Sequence, residues 1–197
     1  MNAIDRILHR VFGRPSGLAG RLGGRLMARM NAETAQQVID ALGLSPTDAV
    51  LEVGFGPGIG IEYAAEIVTD GRVAGVDYSS AMVEQATRRN EAAIDAGRVD
   101  LHYGTVEQLP FADGTFEAAF SINSIHAWPD PADGLREIRR TLRPGGTIAI
   151  AVTQHSTWPA NDPEALLREA GFTAVERREW DDATCVFGRV PNDGSDE

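Results

Sequence analysis

The sequence predicts an α/β fold: a doubly wound sheet of seven strands, mostly parallel with an antiparallel terminal strand, preceded by a helical N-terminal arm. Three observations predict it. Short apolar runs alternate with amphipathic helical stretches between residues 49 and 170, and such alternation builds a parallel sheet covered on both faces. The last two strand-like stretches, Ala174–Trp180 and Thr184–Val190, are joined by three residues only, which suits a hairpin and so reverses one strand. Residues before Pro46 repeat at helical spacing, with one break at Gly13–Gly17.

The elements follow in order. Ile4, Ile7, Leu8, Val11 and Phe12 form a first helical stripe, broken by Gly13–Gly17. Leu18, Leu22, Leu26 and Met30 resume it at intervals of four. Asn31 caps a further helix with an apolar face of Ala35, Val38, Ile39 and Leu42, and Pro46 ends the all-helical section. Ala49–Gly54, Arg72–Tyr78, Val99–Gly104, Phe116–Asn123 and Thr147–Thr153 read as buried strands. Gly60–Val68, Ser80–Ala96, Ala132–Leu142 and Pro163–Ala170 read as the helices between and after them. Asp130-Pro131 and Asp162-Pro163 start the last two, each with an acid at the cap and proline in the first turn. Ala174–Trp180 and Thr184–Val190 are the hairpin strands, joined by Asp181-Asp182-Ala183. The expected organisation is a helical arm or lid over 1–45, a ligand-binding domain over 46–190 and a disordered tail over 191–197.

Composition excludes several functions. The chain of 197 residues carries a net charge of −11, which argues against generic nucleic-acid binding. All eighteen basic residues are arginine. A phosphate loop ending in G-K-[ST] and a Schiff base both require lysine, so neither is available. The single cysteine, Cys185, excludes an internal disulfide and a cysteine-based zinc site, and the four histidines lack ligand spacing, so no metal is expected. No apolar run reaches the ~18 residues of a membrane span. Asp5 and Arg6 stand where a secretion signal would be apolar, and a cytoplasmic location is expected. Residues 1–31 hold six arginines against one acid, a charge of +5 that leaves −16 for the rest. Such asymmetry gives the arm a role of its own.

Val50-Leu51-Glu52-Val53-Gly54-Phe55-Gly56-Pro57-Gly58 carries the strongest functional signal. A strand runs into a glycine-rich turn and then a helix, where open α/β sheets bind ligands. A dinucleotide fingerprint, G-x-G-x-x-G, fails here. Counting from Gly54 its third glycine falls on Ile59, and from Gly56 on Ile61. Asp77 ends the next strand, twenty-three residues beyond Gly54, where a carboxylate accepts from both ribose hydroxyls. Loop and acid together indicate an adenosine-type ligand.

The spacing E-x-G-x-G-x-G resembles the first motif of the class I S-adenosylmethionine-dependent methyltransferases, which have a Rossmann-like fold, and the resemblance spans residues 45–190. It implies S-adenosyl-L-methionine as cofactor and S-adenosyl-L-homocysteine as product. It also implies a site of Glu52, Gly54, Gly56, Gly58, Asp77, Tyr78, Met82, Thr105, Val106 and Asn123, and an antiparallel last strand beside the fifth. Glu52 would serve the cofactor's ammonium directly or through water. Tyr78-Ser79-Ser80-Ala81-Met82 matches the turn where an apolar side chain packs on adenine. Gly104-Thr105-Val106 stands where the family usually has Gly-Asp-Ala, so Thr105 replaces the aspartate that meets the adenine amino group, and Val106 offers its backbone. Leu142–Gly146 matches a structural turn before the fifth strand.

The segment Ser121–Trp128 lies where the family's methyl group faces its acceptor. It lacks the N-P-P-Y type motif of nucleic-acid and glutamine N-methyltransferases. It looks like small-molecule and lipid-quinone enzymes instead, which implies a small-molecule or lipid-like acceptor and no nucleic acid. His126 is the candidate general base, with a side chain that titrates near neutrality; shaping of the pocket is its alternative role. His155 is a second candidate. Trp128 and Trp158 either wall the acceptor or pack in the core. The arm has two readings, a lid over the mouth and a membrane-surface helix in peripheral contact with anionic lipid. Two other functions remain open, a nicotinamide-dependent oxidoreductase and a non-catalytic module that binds the same cofactor.

Overall fold

The computed structural model describes residues 32–154, 156–159 and 162–192. The expectations for residues 1–31, for His155 and for the last five residues lie outside them. Helix α1 covers residues 32–42. It is followed by β1 (Ala49–Val53), α2 (Ile59–Ile67), β2 (Arg72–Asp77), α3 (Ser80–Arg89), α4 (Glu91–Asp95), β3 (Val99–Tyr103) and β4 (Phe116–Ile122). A 3-10 turn at Ile125–Ala127 leads to α5 (Pro131–Thr141), β5 (Leu142–Thr153), α6 (Pro163–Glu169), β6 (Thr173–Glu179) and β7 (Ala183–Arg189). Among the described residues no helix is long and apolar enough to cross a membrane.

The strands form one sheet in the order β3-β2-β1-β4-β5-β7-β6. The first five are parallel neighbours, and β7 runs antiparallel between β5 and β6. This is the expected seven-stranded sheet, with the reversed strand beside the fifth. Chain direction across the sheet switches between β1 and β4, so the loops leaving these two strands diverge and open a crevice.

Period-two alternation divides the core into two layers. Leu51, Val53, Ile148, Ile150 and Val152 pack on one face with Leu135, Ile138 and Leu167 of α5 and α6. Val50, Ala118, Phe120, Ala149 and Ala151 pack on the other with Ile61 and Ala64 of α2. Ala35, Val38 and Ile39 of α1 share that second layer, so the apolar face expected of this helix is covered by the sheet's own core. Small residues in the sheet admit large partners. A Cβ on Gly75 of β2 would lie 2.6 Å from the Phe55 ring.

Two boundaries differ from expectation. The helix expected over Ser80–Ala96 is two helices, broken at Asn90. Apolar periodicity continues across the break, but Asn90 leaves helical geometry at φ −104° and ψ 16°, and its side chain donates to the Ala86 and Gly58 carbonyls. The fifth strand starts at Leu142 instead of Thr147. Leu142 pairs with Phe116, and pairing then skips to Ala118 with Thr147. The Leu142–Gly146 turn is therefore absorbed into the strand as an irregularity, with Gly145 at φ 76°.

The edge strand β6 is exposed along most of its length. Its ion pairs Arg178–Glu176 and Arg177–Glu179 cover that edge with charge. Asp130 caps α5 as its sequence predicts, accepting from the N–H groups of Ala132 (2.9 Å) and Asp133 (3.0 Å). Asp130→Ala is expected to lower unfolding stability by about 1 kcal/mol. Denaturant titration measures this, and an unchanged midpoint with unchanged slope would remove the cap from the account.

Candidate active site

The glycine turn lies at the carboxyl ends of the central strands, bordering the crevice. Gly54, Gly56 and Gly58 all have left-handed φ, at 72°, 53° and 81°. L-residues with a Cβ pay about 1–2 kcal/mol there. Their surroundings divide the three. A Cβ on Gly54 would lie 2.1 Å from Ser124 Oγ, and one on Gly58 would lie 2.6 Å from Ala86 Cβ and 2.8 Å from Asn90 Nδ2. A Cβ on Gly56 would meet nothing within 4 Å. Two glycines thus admit protein, and the middle one faces open space.

Asp77 ties β2 to this turn. It is 5% exposed, with Oδ2 accepting from the Gly56 N–H and Oδ1 from the Ser79 N–H, both at 2.8 Å. A carboxylate has about four acceptor sites, so each oxygen keeps capacity for a ligand hydroxyl. Burial raises its pKa to about 6, against the opposing effect of the two N–H groups. Glu52 lies beneath the start of α2, where a Cβ on Gly60 would come within 2.4 Å of Oε1. Burial, then the charge of Asp77, hold its pKa well above the ordinary range, and a hydrogen bond from the Ile61 N–H only partly opposes them. Its Oε2 is buried with no hydrogen-bond partner among the described residues.

Other expected residues gather nearby with different roles. Tyr78 is 43% exposed, and Met82 is buried in the first turn of α3. Thr105 is exposed just past β3, where the Gly104 N–H bonds the Asp77 carbonyl. The Val106 side chain is in the core, which leaves its backbone as the group available outside. Glu137 Oε1 accepts from the Leu109 N–H (3.0 Å), and Arg140 donates to the Phe111 carbonyl (2.8 Å), so α5 holds the loop after β3 in place. The Arg140 hydrogen bond is the main reason the Glu137 carboxyl stays below its ordinary pKa. Asn123, at φ 52°, is turned toward β5: its Oδ1 accepts from the Thr153 N–H (2.8 Å) and Oγ1 (3.1 Å).

The acceptor-side residues separate. His126 is exposed on the 3-10 turn, and the desolvation it does experience lowers its pKa below 6.5. Trp128, left open between wall and core, is a core residue. It is 8% exposed, its ring lies against Gly134, and its Nε1–H donates to Ser124 Oγ at 2.7 Å. Trp158 is half-buried against the α5–α6 layer. Sequence reading overlooked Ser124, Arg89 and Asn90. Only Asn90 carried a sign, a capping residue type near the middle of a long helical stretch.

A cavity of about 470 Å³ lies elsewhere, lined by Arg72, Arg98, Val99, Pro110, Phe111 and Phe116. These residues include the amino ends of β2, β3 and β4, opposite the glycine turn. Its polar groups are largely engaged: Arg98 with the Ala65 and Val68 carbonyls, Asp100 with His102. The carboxyl ends are where this topology places chemistry. Among the described residues no group of three His, Cys, Asp or Glu is arranged to hold a metal ion.

Strand order, glycine turn and the acid ending β2 define a Rossmann-like α/β enzyme of the kind that holds an adenosine cofactor at the sheet's switch point. Residues 51–150 match the family model described as a methyltransferase domain, and the chain belongs to the class I S-adenosylmethionine-dependent methyltransferases, whose cofactor is S-adenosyl-L-methionine. It is 34% identical over 126 residues to the uncharacterized methyltransferase YdaC of Bacillus subtilis, covering 64% of this chain and 67% of that one. It is 34% identical over 110 residues to the ubiquinone/menaquinone biosynthesis C-methyltransferase UbiE of Geotalea daltonii, covering 54% and 46%. Against several other relatives it also spans less than half of their length. The fold matches a SAM-dependent methyltransferase from Aquifex aeolicus with a TM-score of 0.66 at 20% identity, over 79% of this chain and 89% of that one.

The residues present fit such a cofactor. The turn is open at Gly56, an acid with spare acceptor capacity stands beside it, and the buried Glu52 Oε2 has no partner within the described residues. Gly54→Ala combines a disfavoured φ with overpacking against Ser124. It is expected to cost about 2–4 kcal/mol of stability, read as a drop in thermal midpoint. A loss below about 1 kcal/mol would show that the turn relaxes away from Ser124.

Proposed function

We propose that this chain transfers the methyl group of S-adenosyl-L-methionine to a small-molecule or lipid-like acceptor by direct in-line displacement. Asp77 receives the ribose hydroxyls, and His126 stands at the acceptor mouth. The carrying observation is Asp77 itself, a buried carboxylate fixed by two N–H groups beside the open side of Gly56. The acceptor class is supported by relatives whose names give an O-methyltransferase and a ubiquinone/menaquinone C-methyltransferase, and by a segment 121–128 that lacks the N-P-P-Y type motif.

The cofactor supplies an electrophilic methyl group on a sulfonium; the chain supplies binding and alignment. The glycine turn brings backbone close to the ligand without a Cβ in the way. The loop after β3, held by Glu137 and Arg140, presents Thr105 and the backbone of Val106 to the adenine side. His126, with its pKa lowered, is neutral at pH 7 and able to accept a proton at an imidazole nitrogen from an acceptor hydroxyl or carbon acid. Methyl transfer also proceeds by alignment alone, so His126 serves first to shape the mouth.

Incubation with methyl-labelled cofactor and a panel of phenols, quinols and small carbon acids tests the reaction, with labelled product expected. Absence of S-adenosylhomocysteine binding, or tight NADH binding in its place, would overturn it. His126→Ala is expected to lower turnover of an identified acceptor without changing cofactor affinity; full activity would exclude a catalytic role for it.

Asp77 also gives a pH signature. Its raised pKa means that protonation removes the acceptor as pH falls through about 6. Affinity for S-adenosylhomocysteine should therefore be flat above about pH 7 and fall roughly tenfold per unit well below pH 6. Asp77→Asn should weaken binding by about one to two decades and flatten the profile. Calorimetry across pH measures both, and a wild-type profile that stays level from pH 4.5 to 8 would take Asp77 out of the ligand's reach.

A further inference from the structure

Glycine at positions 56 and 58 makes the turn easy to build and easy to misbuild. Peptide planes flanked by glycine flip at little steric cost, and a flipped plane exchanges a donor for an acceptor. Backbone bonds already oppose such flips, the Gly58 N–H to the Phe55 carbonyl at 3.0 Å and the Glu62 N–H to the Gly58 carbonyl at 3.1 Å, and two side-chain hydrogen bonds from the end of α3 add to them. Arg89 Nε donates to the Pro57 carbonyl at 3.0 Å, and Asn90 Nδ2 donates to the Gly58 carbonyl at 3.1 Å. Each donor is itself anchored. Asn90 is 4% exposed and also donates to the Ala86 carbonyl at 2.9 Å. Arg89 Nη1 pairs with Glu62 Oε2 of α2 at 2.8 Å. The α3–α4 break places Asn90 here: an uninterrupted helix would not require this side chain to bond the neighbouring turn.

We propose that Asn90 and Arg89 are positioning residues for the cofactor. They hold the Pro57 and Gly58 carbonyls toward α3. In a trans peptide the C=O and N–H point in opposite directions, so the Ile59 N–H at the start of α2 is directed away from α3. The turn is thereby held in one arrangement before ligand arrives, and the ordering cost of binding falls. This rests on the reading that the cofactor binds at this turn.

The test uses the full chain, with S-adenosylhomocysteine as probe. Asn90→Asp keeps shape and removes the donor. Arg89→Leu removes the partly exposed second donor, and Arg89→Lys keeps one. Dissociation constants are expected to rise about tenfold for Asn90→Asp and roughly threefold for Arg89→Leu, with Arg89→Lys near wild type. Hydrogen exchange should accelerate over residues 54–60 in the two donor-loss variants and stay unchanged in β1, β4 and β5. Folded variants with wild-type affinity and wild-type exchange in the turn would overturn the proposal. If Asn90→Asp fails to fold, the Arg89 pair decides it. If wild type itself binds no S-adenosylhomocysteine, the functional reading falls, and exchange over 54–60 alone decides whether the clamp exists.

Discussion

The structure turns on the hydrogen bond from the Gly56 N–H to Asp77 Oδ2 at 2.8 Å. It joins the loop after β1 to the end of β2, and so fixes where one rim of the crevice stands. Its neighbour, the Gly54 N–H to the Val76 carbonyl at 2.8 Å, continues the ladder one step past the last paired residues. These two bonds act together with the contacts of Arg89 and Asn90 to the Pro57 and Gly58 carbonyls to select one arrangement of three left-handed glycines. With them, backbone that is costly for other residues becomes the stable solution.

That arrangement carries an electrostatic cost. Two carboxyls, Glu52 and Asp77, are buried near one another, and both have raised pKa values. Backbone donors from Ile61, Gly56 and Ser79 offset part of the desolvation, not all of it. Structural acids of a stable core are better replaced by apolar groups of equal size. Retaining two of them at the crevice fits a site that meets hydroxyls and positive charge.

Much of this was legible in the sequence, and the reasons are local. The first five strands declare themselves as short apolar runs, and the terminal hairpin as a connection too short for a crossover. Asp130-Pro131 and Asp162-Pro163 marked the starts of α5 and α6. The α3–α4 break was hidden because its cause is tertiary: Asn90 bonds a loop thirty-two residues away, and periodicity within the helix does not record that. Trp128 was ambiguous for a similar reason. Its burial depends on the missing Cβ of Gly134 and on Ser124 Oγ, neither of which can be placed until the 3-10 turn is folded. Glu52 lies beneath Gly60 with Oε2 unpartnered among the described residues, a placement that spacing alone does not disclose.

The edge strand β6 has a bearing on how copies of this chain meet. Glu176, Arg177, Arg178 and Glu179 sum to no net charge, although the chain as a whole is strongly acidic. Two such edges approaching each other are therefore not held apart by Coulomb repulsion at that strand. What keeps them apart is dehydration, since pairing the edges would strip water from four ionised side chains already satisfied within one strand. Added salt screens repulsion and leaves dehydration in place. Resistance to sheet extension along β6 should thus persist at ionic strengths where the acidic body no longer repels its neighbours.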